Sequence, residues 1–122
     1  MTLALTVGVA GAIGAVARYL LDGAVQDRVS GPFPFGTLAV NVVGSVILGF
    51  LAGYVLAHTG GRTAKTIVGT GFCGALTTWS TASWETVRLA EEGATTTAIT
   101  FTLANLAASF AAAAIGIVLL AS

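Results

Sequence analysis

The ten charged side chains of this 122-residue chain fall into three groups, and the stretches between them are long and apolar. The groups lie at residues 18–28, 62–65 and 85–92. Charged residues make up 8% of the sequence, whereas a soluble domain has about 25%. A helix rises about 1.5 Å per residue, so each stretch is long enough to cross a hydrocarbon core of roughly 30 Å. This spacing predicts an all-α membrane protein.

We expect four transmembrane helices, at about residues 3–24, 36–58, 66–91 and 94–121. Their connections are only a few residues long, so residues 1–122 are expected to form a single four-helix transmembrane domain without a soluble catalytic module. No His, Cys or Ser has a base and an orienting residue at a spacing that suggests catalysis. Neither an enzyme nor a nucleic-acid partner is expected.

A four-helix unit of this size is too slim to enclose a hydrophilic pathway, and its many glycines and alanines favour close helix contacts in lipid. Oligomerisation is therefore expected. Lys and Arg at the two ends of the helices nearly balance, with Arg62 and Lys65 at one end and Arg28 and Arg88 in the loops at the other. Because the distribution of Lys and Arg sets membrane orientation, this balance permits insertion in both directions, or requires a partner that fixes one.

Arg18 is the costly residue of the first helix, since an arginine deep in a span costs about 2.5–3.5 kcal/mol on insertion scales. Asp22, one turn further on, is expected to pair with it. Two interpretations of Arg18 remain open. It is either part of a salt-bridged helix end that reaches the interface, or a structural or electrostatic residue at an anion vestibule.

Polar side chains occur in the second and fourth windows. Asn41 lies among apolar neighbours in the second, and a buried Asn needs partners for both its carbonyl and its amide. It is therefore either a link between helices or a donor that faces a pathway. In the fourth window Asn105 and Ser109 are four residues apart on one face, which indicates a polar stripe.

The third window contains a small, hydroxyl-rich run at residues 74–81, with the sequence Gly-Ala-Leu-Thr-Thr-Trp-Ser-Thr. Glycines before it are expected to loosen the helix, and loosened backbone persists in hydrocarbon only where it is buried in protein or lines a polar cavity. A broken helix presents carbonyl oxygens, which suit Na⁺, and amide and hydroxyl donors, which suit an anion. The run therefore predicts an ion site where the third helix breaks mid-span.

Three motifs, at residues 11–19, 36–45 and 74–81, resemble in order and spacing those of the Fluc (CrcB) family of fluoride ion channels. The resemblance implies an antiparallel, dual-topology dimer of four-helix subunits in a prokaryotic plasma membrane. Such a dimer would let fluoride leave the cytoplasm passively and so reduce its toxicity. It would hold a structural Na⁺ at the dimer interface.

The resemblance also implies roles for individual residues. The main-chain carbonyls of Gly74 and Thr77 would hold the Na⁺. Neutral donors suit a fluoride pathway because they replace water without trapping the ion by a fixed positive charge. By motif position that pathway would be lined by Asn41, Trp79, Ser80, Thr81, Glu85, Asn105 and Ser109.

This chain departs from the family motif, which has two phenylalanines where Trp79 and Ala82 stand here. The departure predicts poor conduction, or conduction by altered contacts, through a pore lined by this chain's own aromatic residues. A homodimer and a heterodimer, with this chain as the poorly conducting partner, both remain open. A small multidrug-type exporter is disfavoured because the first helix lacks a mid-span carboxylate.

Overall fold

A computed structural model describes residues 2–121, and every regular element in that range is helical. Helix α1 is Thr2–Gln26, α2 is Phe35–Ala57, α4 is Trp79–Glu91 and α5 is Thr95–Ala121. Helix α3 is the unbroken run from 62 to 76, made of Arg62–Ala64, Lys65–Cys73 and Gly74–Leu76. Among the described residues α1, α2 and α5 are long and apolar enough to cross a membrane. The chain is an all-α, multi-pass membrane protein.

The expected bounds of the first, second and fourth helices agree with the structure to within two residues. In the window of the expected third helix, 66–91, the structure has two helices, because the backbone is extended at Thr77 and Thr78. Neither α3 nor α4 alone has the roughly 20 residues that a membrane span needs.

The middle of α3 is a π-helix, Lys65–Cys73, and α1 packs directly against it. A Cβ added at Gly71 would lie 2.8 Å from the Val7 carbonyl oxygen, and one at Gly14 would overlap the Phe72 carbonyl oxygen. The two backbones are therefore in contact. Because π-helices are rare and occur frequently at functional sites, this segment draws attention to the residues that follow it.

Helices α2 and α5 form the most extensive contact between helices of the described chain, and it too rests on glycine. A Cβ at Gly116 would lie 2.7 Å from both the Val46 carbonyl oxygen and the Phe50 amide nitrogen. A Cβ at Gly53 would lie 2.6 Å from the Ile117 carbonyl oxygen. Lipid tails are as apolar as leucine, so helices in a membrane associate through close packing of this kind rather than through the hydrophobic effect.

Charge is confined to the ends of the bundle, and large apolar side chains cover its sides. Arg62 and Lys65 lie at the end where α2 turns into α3, and the other eight charged residues lie in or near the opposite end. The sides expose large hydrophobic residues along every long helix, among them Leu5, Leu56 and Phe110. Such a surface is stable against hydrocarbon and unfavourable against water.

The α2–α5 contact gives a direct test of packing. Gly116→Ala should lower the free energy of unfolding by about 1–3 kcal/mol, because the added methyl group meets backbone atoms that must move. Gly8→Ala is the matched control, since nothing lies within 4 Å of the position of its Cβ. Thermal unfolding in detergent micelles measures both. Equal melting temperatures for the two variants would contradict this description of the contact.

Candidate ion-binding site

The break between α3 and α4 is stabilised by threonine hydroxyl groups. The Thr77 amide and hydroxyl both donate to the Cys73 carbonyl oxygen at 2.9 Å, and the backbone turns extended at Thr77, where α3 ends. Thr78 is the N-cap of α4, and its Oγ1 accepts a hydrogen bond from the Thr81 amide at 3.0 Å. A threonine cap of this kind satisfies one of the amides that the first turn of a helix leaves unpaired.

Asn41 on α2 joins the break to α5. Its side chain is buried, and its Oδ1 accepts a hydrogen bond from the Thr78 amide at 2.7 Å. Its Nδ2 donates to the Thr78 carbonyl oxygen at 3.1 Å and to Asn105 Oδ1 at 2.9 Å. Both amide protons of Asn41 are therefore used within the subunit. Of the two roles that the sequence left open, this geometry favours the link between helices.

Two carbonyl groups at the break lose their helical partners to side chains. In a continuous helix the Thr78 amide would bond to the Gly74 carbonyl, but it donates to Asn41 instead. The Thr81 amide would bond to the Thr77 carbonyl, but it donates to the Thr78 hydroxyl. Within residues 2–121 neither carbonyl oxygen accepts another hydrogen bond. Carbonyl oxygens at a helix break are suitable ligands for Na⁺, so the residues that the family resemblance nominates fit this ion.

A groove of about 340 Å³ lies beside the break; we call it the break groove. It brings together six of the predicted site residues, namely Asn41, Gly74, Thr77, Trp79, Asn105 and Ser109. Ser109 Oγ is buried and has no hydrogen-bond partner in the part of the chain that the structure describes. The Asn105 amide nitrogen also has none there, since only its Oδ1 is engaged, by Asn41. Two neutral hydrogen-bond donors are thus available at this wall.

A second groove, of about 250 Å³, continues from Asn105 and Trp79 between α4 and α5; we call it the threonine groove. It is also lined by Ala82, Ser83, Thr86, Phe101 and Thr102. Trp79, of which 72% is exposed, stands between the two grooves, whereas Ala82 is buried. The two positions that depart from the family motif therefore both lie at the threonine groove.

Three predicted pathway residues lie outside both grooves. Ser80 is exposed, and its hydroxyl is 3.4 Å from that of Thr78. Thr81 contributes its backbone amide to the N-cap. Glu85 accepts a hydrogen bond from the Thr37 hydroxyl at the contact between α4 and α2. A single subunit therefore presents these residues on a different face from Asn105 and Ser109.

The expected ion pair between Arg18 and Asp22 is absent. The structure of residues 2–121 contains one salt bridge, between Arg88 and Glu92 at 3.6 Å. The Asp22 carboxylate instead lies against Gly36 at the start of α2, where an added Cβ would overlap it. An exposed i,i+4 pair contributes only about 0.3–0.5 kcal/mol, so little free energy is lost when it does not form.

The sequence prediction omitted several threonines that the structure places at the site. Thr78 could have been recognised as a cap, because Thr commonly occupies the position before a helix. Thr37 is four residues before Asn41 and so shares its helix face. Thr102 is three residues before Asn105 and so lies near the polar stripe predicted for the fourth window. Thr86 gave no such signal.

Comparison with known proteins decides the family. A family model described as "CrcB-like protein, Camphor Resistance (CrcB)" matches residues 5–117. This chain belongs to the CrcB family. The resemblance seen in the sequence motifs is thereby confirmed, and the family consists of ion channels rather than enzymes.

Relatives within the CrcB family are similar over most of their length. A "Fluoride-specific ion channel FluC 1" of Streptomyces avermitilis is 46% identical over 110 residues, which cover 89% of each chain. A "Fluoride-specific ion channel FluC 2" of Mycolicibacterium paratuberculosis is 46% identical over 117 residues, covering 94% of this chain and 93% of the relative. One from Cutibacterium acnes, also named FluC 2, is 52% identical over 87 residues, covering 70% and 71%.

The link made by Asn41 can be tested by its removal. Asn41→Ala should lower the free energy of unfolding by about 1–3 kcal/mol, because it leaves buried backbone groups of Thr78 unpaired. Ser45→Ala is the matched control. Ser45 lies one turn further along α2 and lines the same groove, but it makes no hydrogen bond within residues 2–121. If thermal unfolding in detergent shifts equally for both variants, Asn41 is not the link that the contacts indicate.

Proposed function

We propose that this chain is the subunit of a fluoride-selective channel that lets fluoride leave the cytoplasm passively and so reduces its toxicity. The observation that carries this proposal is the pair of neutral donors without partners at the break groove, the buried Ser109 Oγ and the Asn105 amide. Fluoride is small and strongly hydrated, so a pore must replace its water with hydrogen bonds. No charged side chain lines either groove within residues 2–121, so a bound anion would not be held too tightly to leave. Membership of the CrcB family and the names of the relatives support the same ion.

We further propose that α3 and α4 together form one membrane crossing, broken at residues 77–78. Each helix alone is too short to span the hydrocarbon core, whereas the two in sequence are long enough. Residues 1–122 then form a single four-helix domain. Extended backbone at mid-membrane depth must be buried or line a polar cavity, and Asn41 and the break groove supply both conditions.

The proposed channel is a dimer of inverted subunits. Both grooves open on the side of the single subunit, where lipid would otherwise face Ser109, Asn105 and the Gly74 carbonyl. Polar groups without partners are costly in hydrocarbon, so a second copy is expected to cover them. The balance of Lys and Arg between the two ends permits the antiparallel arrangement.

A structural Na⁺ at the interface of this dimer would use the Gly74 and Thr77 carbonyls. Their oxygens are free because Asn41 and the Thr78 hydroxyl take the amides that would otherwise pair with them. When bound, the cation would neutralise the partial negative charge of these helix-end carbonyls. The proposed role of the cation is therefore to hold together the helix breaks of the two subunits.

Fluoride efflux is the first test of this function. The chain purified alone should release fluoride from liposomes loaded with potassium fluoride, and little chloride from liposomes loaded with potassium chloride. Valinomycin carries the counter-charge, and an electrode selective for each ion follows its release. Asn41→Asp is the blocked control, because a carboxylate beside the groove repels anions and cannot donate to the Thr78 carbonyl. Chloride flux equal to fluoride flux would contradict the selectivity. If the chain alone gives no fluoride efflux and a second family member restores it, the chain works as one half of a heterodimer.

Na⁺ should stabilise the protein. The melting temperature in detergent is expected to be higher in sodium chloride than in N-methylglucamine chloride, because the cation binds only the folded assembly. Asn41→Ala should lose most of this difference, since the Thr78 amide can then return to the Gly74 carbonyl, whereas Ser45→Ala should keep it. Equal melting temperatures of the unmodified chain in the two salts would contradict the cation site.

A further inference from the structure

We propose that the threonine groove holds an additional binding position for a small, hydrogen-bond-accepting anion, formed by Ser83, Thr86, Thr102 and the Asn105 amide. This inference rests on the proposed fluoride channel and extends its pathway beyond Asn105. Thr102 precedes Asn105 by three residues on α5, so the position lies about 4.5 Å further along the helix axis, toward the start of α5.

The two threonines have fewer protons than acceptors. Thr86 Oγ1 lies 2.8 Å from the Ala82 carbonyl oxygen, Thr102 Oγ1 lies 2.9 Å from the Ala98 carbonyl oxygen, and the two hydroxyl oxygens are 3.1 Å apart. These are three hydrogen-bonding contacts, but each hydroxyl has a single proton. One of the three contacts therefore always lacks a proton.

A threonine hydroxyl of this pair can turn its proton toward another acceptor at a low cost in free energy. A helical carbonyl such as that of Ala82 already accepts the amide of the residue four positions on, so a hydroxyl bond to it is a second, dispensable one. An anion in the groove would accept the protons of both hydroxyls at once.

Asn105 supplies a third donor to the same space. Only 7% of this residue is exposed, it lines both grooves, and its amide nitrogen has no hydrogen-bond partner within residues 2–121. The amide therefore has protons to donate to a ligand in the groove. Ser83 lines the groove as well, and its hydroxyl is likewise unpaired in the described chain.

The remaining walls of the groove restrict what it can bind. Trp79, Phe101 and Leu106 are apolar or aromatic, and no charged side chain is present to attract a cation or to trap an anion. The donors are all neutral hydroxyl or amide groups, which favour a strong acceptor of low charge. Fluoride has these properties.

Ala82 explains why this groove is open in this chain. It is buried at the groove, so a larger side chain there would take up space in it. The family motif has a phenylalanine at this position. The small side chain of Ala82 therefore leaves room for an ion to reach the hydroxyl donors of the groove.

The test uses the full chain in liposomes with a fluoride electrode. Thr86→Val and Thr102→Val keep the shape of the side chain and remove the donor. Each should slow fluoride efflux about tenfold, in line with the loss of a hydrogen bond to a charged group. Thr86→Ser and Thr102→Ser keep the hydroxyl and should conduct like the unmodified chain. Thr100→Val is the matched control, since Thr100 is exposed on α5 and lines neither groove.

A purely structural role of the threonine pair predicts a different result. If the pair only joined α4 to α5, the valine variants would slow efflux together with a fall in melting temperature, and Ser83→Ala would conduct normally. Ser83 makes no hydrogen bond within residues 2–121, so its replacement should leave the fold intact. An anion position instead predicts several-fold slower efflux for Ser83→Ala, with an unchanged melting temperature.

Fluoride binding gives a second measurement that does not depend on conduction. Titration with sodium fluoride should change the fluorescence of Trp79 in a detergent-solubilised Trp84→Phe protein, which removes the other tryptophan of the sequence. Sodium chloride is the ionic-strength control, and Thr102→Val should weaken the response. An unmodified chain without fluoride efflux, both alone and with a second family member, would contradict the proposed function. Efflux and fluorescence responses of the valine variants equal to those of Thr100→Val would overturn the anion position alone.

Discussion

The hydrogen bond from the Thr78 amide to Asn41 Oδ1, 2.7 Å long, is the interaction on which the candidate site depends. It takes the amide away from the Gly74 carbonyl, so α3 cannot continue into α4. The same asparagine also returns a proton to the Thr78 carbonyl, which keeps the extended backbone satisfied away from water. One neutral side chain thereby stops a helix, leaves a carbonyl oxygen free for a ligand, and positions Asn105 at the groove. No charge is needed for any of these effects.

Glycine contacts hold the helices close enough for such short side chains to reach. Asn41 spans from α2 to both α4 and α5, and an asparagine side chain does so only if the backbones lie near one another. Gly116 provides that proximity between α2 and α5, and Gly14 provides it between α1 and α3. The hydrogen bonds of Asn41 therefore depend on the glycine contacts, because these contacts bring the helices within reach of its side chain.

Much of the fold could be predicted from the sequence, because charge-free stretches of membrane-spanning length leave few alternatives. The bounds of α1, α2 and α5 and the importance of residues 74–81 both followed from local pattern. The pairing of Asp22 with Arg18 did not hold, and the Asp22 carboxylate lies against Gly36 on another helix. The meeting of Thr86 with Thr102 could not be predicted, because it depends on the rotation of α4 about its axis after the break. Local signals predict where a helix stops, but not the direction in which the next one faces.

The distribution of charge along the subunit has an electrical consequence. Arg62 and Lys65 occupy one end, while at or near the other end five acidic residues outnumber three arginines, so a single subunit has a permanent dipole along the membrane normal. A membrane potential would act on that dipole and favour one orientation. In the proposed inverted pair the two dipoles cancel, and the assembly becomes indifferent to voltage. Only the permeating ion would then respond to the field.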